Sequence, residues 1–248
     1  MERAKSQELR ANSPERKSRR RLRYLRRAAL IALCLPVLGA AVWLLGWWSL
    51  APVGVVFLLL GFMGRLGDNF RAVTPEKAYR SAQLSPERLK QVVQTHHIRR
   101  VLNLRGAQPG VDWYDGEAAA CAETGAEHIS IELKFRKLPG PKELAELISA
   151  LEQGPYPLLW HCRAGADRSG LAAVLYLVIV EHQPFEQALK AQLSWRYGHV
   201  LWGKAAEMDR FFNLYTSSGA GMDLKTWILT RYPAVYEQER EKRQNRPN

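Results

Sequence analysis

Cysteine is scarce in this chain of 248 residues: Cys34, Cys121 and Cys162 stand far apart, with no Cys-x-x-Cys pair and no His-Glu-x-x-His run. A disulfide scaffold and a structural zinc domain are thereby excluded. Formal charge is missing altogether from residues 28–62, a run of 35 rich in Leu, Val, Ala and Trp. Acidic residues are also few, 24 against 36 Lys and Arg, for a net charge of +12. Such a surplus points to an anionic partner, and its location decides which. Residues 1–27 hold eleven cations and three acids, so this arm carries +8 of the +12. Beside an uncharged run, an arginine-rich arm reads as a cytoplasmic topology signal rather than a nucleic-acid contact. With 47 % hydrophobic residues the chain can fill a core, which excludes a wholly disordered protein.

One straight helix over 28–62 would measure roughly 52 Å at about 1.5 Å per residue, against about 30 Å of hydrocarbon. A break near Gly46-Trp47-Trp48-Ser49 gives two passes with the Trp pair at an interface, a transmembrane helical hairpin. The alternative is a single tilted span with its remainder at the interface, which places the downstream domain on the opposite side. The organisation expected is a basic cytoplasmic arm (1–27), a transmembrane segment (28–66), a globular catalytic domain (67–236) and a polar, fraying tail (237–248). The hairpin makes this an integral membrane protein whose domain stays cytoplasmic, where a reactive thiol remains reduced.

In the globular part, strand-like stretches at 77–80, 100–104, 128–131 and 157–161 alternate with helical stretches starting near Pro86, Trp113, Pro141, Ser169, Pro184 and Lys204. Pro86, Pro141 and Pro184 each suit a first helical turn, where the fixed φ of proline is already helical. The alternation specifies an α/β fold with a mostly parallel sheet flanked by helices.

The chemistry concentrates after the last strand. Pro157-Leu158-Leu159-Trp160-His161 runs into Cys162-Arg163-Ala164-Gly165-Ala166-Asp167-Arg168-Ser169-Gly170 and then an apolar helix. A strand, a small-residue loop and a helix start gather backbone N–H groups and a positive helix end around one point, which suits a phosphate. Arg168 can close the loop with a planar fork that fits two phosphate oxygens. The same field favours the thiolate of Cys162, a nucleophile for a phosphomonoester. Ser169 suits either a hydrogen bond to the sulfur or a helix N-cap.

His161-Cys162, five residues, then Arg168-Ser169-Gly170 resembles the signature of the cysteine-dependent protein tyrosine phosphatase superfamily, in particular its small dual-specificity-like bacterial branch. Tyr79-Arg80-Ser81-Ala82-Gln83 and Val101-Leu102-Asn103-Leu104-Arg105 resemble the opening of bacterial members. The resemblance covers roughly residues 70–216 and implies a tyrosine/dual-specificity phosphatase-like fold in a bacterial inner membrane. It implies Cys162 as nucleophile, Arg168 as phosphate clamp, and Arg163, Ala164, Gly165, Ala166, Asp167 and Arg168 as the phosphate-binding loop. The substrate implied is a phosphotyrosine protein or a phosphorylated lipid, hydrolysed through a cysteinyl-phosphate with no cofactor, metal or nucleic acid.

The pattern departs at one place. Most members supply a general-acid Asp some thirty residues before the nucleophile, and residues 128–160 contain none. Glu132, near a strand end, is a candidate within that window, and Asp112 and Asp115 are candidates further upstream. Asp167 lies within the loop, as in the Cys-x4-Asp-Arg loops of myotubularin and Sac phosphatases, which implies an acid; the alternative is that it pairs with a cation to rigidify the loop. The missing acid also leaves open a catalytically silent phosphate-binding adaptor domain on a membrane anchor. His161 reads as fixing the loop through a backbone hydrogen bond, and Trp195-Arg196-Tyr197-Gly198-His199 as a packing turn, the alternative being a lid or head-group contact. His96-His97 reads as a solvent-facing helix end and Cys121 as a small core residue.

Overall fold

The structure, a computed structural model, describes residues 67–199 and 206–245. The basic arm 1–27, the transmembrane segment 28–66 and Lys204 lie outside the described residues. Among the described residues no helix is long and apolar enough to cross a membrane. Met63–Asn248 forms one compact unit of the chain.

Five short strands build one sheet: β1 (Arg71–Thr74), β2 (Ala78–Ser81), β3 (Arg100–Asn103), β4 (Glu127–Ser130) and β5 (Leu158–His161). Their order is β1-β2-β5-β3-β4, with β1 antiparallel to β2 and the other pairings parallel. β5 therefore sits in the middle, Trp160 opposite Arg80 on one side and Leu102 on the other. The sheet matches the mostly parallel expectation, each expected strand lying within a residue of its place. β1 is an addition: four half-exposed residues on an edge carry little apolar patterning.

Helix α1 (Pro86–His96) starts as its proline predicts, with the Ser85 hydroxyl accepting from Arg88 N at 3.2 Å. It packs with α2 (Asp112–Thr124) on one face of the sheet. On the other face lie α3 (Pro141–Gln153) and α4 (Asp167–Leu175), the latter continuing as a π-helical turn (Tyr176–Val180). Alternate residues of β5 serve the two cores: Leu158 and Trp160 join the α3/α4 side, Leu159 the α1/α2 side. His96 stacks within 5.0 Å of both Phe70 and Tyr79 instead of facing water, while His97 caps the helix at φ 52°. Cys121 is buried, as expected, and burial pushes its thiol up to about 12.

Helix α5 (Phe185–Gln192) begins one residue after Pro184, which stands outside the first turn at ψ 132° as the N-cap. After α6 (Ala206–Ser218), Asp223 caps α7 (Leu224–Thr226) by accepting from Thr226 N at 3.0 Å. A π-helical turn (Trp227–Arg231) and α8 (Tyr232–Gln244) complete the described chain. Residues 237–244, expected to fray, are helical instead. Their polar composition is misleading because Tyr232, Tyr236 and Glu239 recur on one face: Tyr232 donates to Pro139 O at 2.7 Å, Tyr236 packs on the core, and Glu239 pairs with Arg210.

Trp227, wholly buried against Phe211, Tyr215 and Tyr232, anchors this C-terminal layer. Trp227→Ala is expected to cost about 3–5 kcal/mol in urea unfolding, the range for deleting a large buried aromatic. A loss below about 1 kcal/mol would mean that the C-terminal helices are not part of the cooperative unit.

Candidate active site

Cys162 is the first residue past β5, at the carboxyl edge of the sheet where parallel α/β proteins bind their ligands. It is a free thiol, 3 % exposed. The four residues that follow are shaped from behind. Gln83 N donates to Arg163 O at 3.4 Å, and Asn69 Nδ2 to Ala164 O at 3.0 Å. Arg80 Nη2 donates to both Gly165 O and Ala166 O at 2.8 Å. All four carbonyls are thus drawn to the rear, and among the described residues no N–H of 163–166 has a backbone acceptor. Gly165 permits this closeness: at φ +69°, a Cβ would stand 2.6 Å from Ala82 N and 2.7 Å from the Ser81 carbonyl carbon.

Arg80 is the residue that composition hides. Its side chain is fully buried on β2, its Nη1 donates to Gln192 O and Oε1 at 2.9 and 3.0 Å, and its Cζ lies 4.1 Å from the Tyr197 ring centroid. Burial pulls its pKa down to about 10, against the opposing pull of Tyr197, Cys162 and Asp167, so it stays a cation at neutral pH. The sequence signal was an arginine within a strand-like stretch, a charge that needs partners when the strand is buried.

Arg168 is aimed by two carbonyls, Leu104 O beyond β3 and Leu133 O beyond β4, each 3.2 Å from Nη1, while its Nε is buried without a protein partner. Arg105 stacks its guanidinium 3.6 Å from the Trp113 ring centroid and accepts Gln83 as partner, donating to Oε1 at 2.9 Å. Burial first, then the cations of Arg168 and Arg163, pull the Arg105 pKa down, which marks a concentration of positive charge. Ser169 is not the N-cap: α4 begins at Asp167, Ala166 takes the cap position, and the Ser169 hydroxyl donates to Ser81 O at 3.4 Å.

Asp167 pairs with a cation other than Arg168. His199 Nδ1 bonds Asp167 Oδ1 at 2.7 Å and its Nε2 bonds Asp209 Oδ1 on α6 at 3.1 Å. Burial lowers the His199 pKa, but the two carboxylates outweigh it and raise it to about 9, so the imidazole is protonated at neutral pH. His161 bonds a side chain rather than the backbone: its Nε2 reaches Glu117 Oε1 at 3.0 Å. Glu117, on α2 and 2 % exposed, also bonds His128 Nε2 at 2.8 Å and accepts from Gln83. Burial would raise its pKa, yet the bonds from His128 and His161 bring it down to about 2. Its only sequence signal was an acid at the start of an alanine run, too weak to single it out.

Among the other acid candidates, Glu132 forms a β-bridge with Arg105 beside Leu133, whose carbonyl accepts from Arg168. Asp115 Oδ1 accepts from Gly110 N at 3.1 Å, Asp112 is exposed on the first turn of α2, and Glu132 packs over Gly106. The segment in the usual acid position, residues 134–137, is exposed and reads Lys-Phe-Arg-Lys.

The His199 pairs imply a defined pH dependence of stability. With the folded value near 9 and the ordinary value 6.5, their contribution is complete below about pH 6.5 and disappears as pH rises through 9. The unfolding midpoint of the protein should therefore fall more between pH 6.5 and 9.5 than that of His199→Gln. Parallel profiles would show that the pairs do not contribute.

No curated protein matches the chain. Among solved structures the similar ones include a putative phosphatase of Shewanella putrefaciens CN-32, 16 % identical, covering 60 % of this chain and 93 % of that one with a TM-score of 0.47. TpbA of P. aeruginosa is 19 % identical over 59 % of this chain and 84 % of its own, TM-score 0.47. The catalytic core of the PP-IP phosphatase SIW14 of S. cerevisiae is 15 % identical over 70 % and 93 %, TM-score 0.48. Residues 63–185, which include β1 to β5, the cysteine loop and α4, match the model described as the tyrosine phosphatase family. Over those residues, just under half of the chain, the mixed sheet flanked by helices is tyrosine phosphatase-like.

Proposed function

We propose that the chain is a membrane-anchored, cysteine-dependent phosphatase that hydrolyses phosphomonoesters, taken from a phosphotyrosine protein or a phosphorylated lipid. The carrying observation is the loop after Cys162, in which the four carbonyls of residues 163–166 accept from Gln83, Asn69 and Arg80 while their N–H groups have no backbone acceptor among the described residues, with Arg168 six positions beyond the thiol. In this reading the Cys162 thiolate forms the S–P bond as the bond from phosphorus to the ester oxygen breaks, and that oxygen leaves with a proton taken from solvent water. Loop N–H groups and the free edge of Arg168 stabilise the charge on the three equatorial oxygens. Water then forms the new P–O bond, the S–P bond breaks, and inorganic phosphate leaves.

The anchor rests on the uncharged run 28–62 and its arginine-rich flank, which favour a transmembrane hairpin and a cytoplasmic catalytic domain in a bacterial inner membrane. A C-terminal reporter active only in the cytoplasm should be active; an external signal would support the single tilted span instead. The silent-adaptor reading draws on the basic loop 134–137, which lacks an acid. Hydrolysis of an aryl phosphate that vanishes in Cys162→Ser decides between enzyme and adaptor, and unchanged release in the variant would overturn the enzyme.

Two substitutions probe how the loop works. Arg80→Lys replaces a fork with four acceptors by a single ammonium and is expected to lower kcat about 10²-fold, the scale for misplacing a catalytic group by about 1 Å. Retained kcat would show that the loop holds its shape without Arg80. The His199 bond favours Asp167 as a structural anion, so Asp167→Asn should lower turnover equally on aryl esters with good and poor leaving groups. A loss confined to poor leaving groups would assign it the proton.

A further inference from the structure

Two exposed segments flank the cysteine loop, and both combine cations with an aromatic ring. The first is Lys134-Phe135-Arg136-Lys137, between β4 and α3. It is fixed to the site because Leu133 O accepts from Arg168 and the Phe135 ring centroid lies 5.8 Å from Arg168 Cζ. The second is the short 3-10 turn Trp195–Tyr197. Asn69 Nδ2 ties it to the loop by donating to both Tyr197 O, at 2.9 Å, and Ala164 O, at 3.0 Å. Phe135 is 40 % exposed and Trp195 is 73 % exposed, the highest value among the exposed large hydrophobic side chains described. Arg163 stands exposed between them on the loop itself.

Lys134, Arg136, Lys137, Arg163 and Arg196 form no ion pair among the described residues. Neither flank contains an acid at residues 133–140 or 195–199. Exposed aromatic rings among unpaired cations are costly in water and suited to the headgroup layer of an anionic bilayer, where rings enter the interface and cations meet lipid phosphates. Chain length agrees with such a setting. Only eight residues separate the end of the uncharged run at Phe62 from β1 at Arg71, a reach of at most about 30 Å.

We propose that residues 134–137, Arg163 and Trp195–Arg196 form a docking rim for an anionic phospholipid bilayer, so that the site takes its phosphomonoester from a lipid in that surface. The inference deepens the phosphatase reading and rests on it and on the anchor. An acidic phosphopeptide is the competing occupant, and the short tether to the uncharged run favours the bilayer over it.

The test uses the full chain in vesicles of phosphatidylcholine alone or mixed with phosphatidylglycerol, read by hydrogen–deuterium exchange and by aryl phosphate hydrolysis. In the anionic vesicles, amides of 134–137 and 195–199 should exchange about tenfold more slowly, with protection lost in high salt. Lys134→Gln, Arg136→Gln and Lys137→Gln together should abolish that protection while aryl phosphate hydrolysis is unchanged. Equal exchange in both vesicles, or protection only on addition of an acidic phosphopeptide, would overturn the docking rim. Cys162-dependent hydrolysis persisting in that case would leave the phosphatase reading standing. A chain that floats with neither vesicle would overturn the rim together with the anchor.

Discussion

The site depends on one buried cation. Arg80 has no exposure, and a guanidinium in that position must find acceptors for its donors or unfold the strand that carries it. Its acceptors are Gly165 O, Ala166 O and the two oxygens of Gln192. Satisfying Arg80 is therefore the same event as turning two loop carbonyls away from the mouth. The parallel register that sets Arg80 opposite Trp160 delivers its side chain to the loop two residues beyond that strand partner. The missing side chain of Gly165 lets the loop come close enough to be held. Gln192 extends the same bond network to α5, so sheet, loop and helix share one guanidinium.

Other braces reach the loop from different directions. Glu117 holds His161, the residue before Cys162, from α2, and the same carboxylate gathers His128 on β4 and Gln83. His199 joins the first residue of α4 to α6 through Asp167 and Asp209. Arg168 is steadied by carbonyls at the ends of two strands. A loop whose donors must face one anion without reorganising has to be fixed from outside, because its own small side chains offer no packing.

What was legible in the sequence was local. The Cys162-to-Arg168 spacing, the apolar strand before it and the Pro86 and Pro141 helix starts each lie within a few neighbouring residues, and all reappear in the structure. Arg80 and Glu117 escaped because their partners lie far along the chain: Arg80 meets Gly165 across 85 positions, Glu117 meets His161 across 44. Neither distance leaves a periodic trace. The helix over 237–244 was missed for another reason, since its buried face has only one contact per turn and its remaining residues look like a solvated tail. Pro184 shows the limit of a local rule, for the same fixed φ serves an N-cap as well as a first turn.

The arrangement of charge then follows from electrostatic compensation. Two carboxylates sit against the loop, Glu117 behind His161 and Asp167 beside Arg168, and either alone would oppose the entry of a phosphate. Each is engaged by imidazole: Glu117 is hydrogen-bonded by two histidines, and Asp167 shares with Asp209 a His199 that stays cationic to about pH 9. Arg80 is committed to carbonyls through Nη1 and Nη2, so its field persists although both of these groups are occupied. Arg105 and Arg168 crowd one another enough for the first to bind its proton less tightly. Most of the chain's +12 lies in the N-terminal arm, and the small surplus of the domain acts here because Arg80, Arg105 and Arg168 are gathered around one loop.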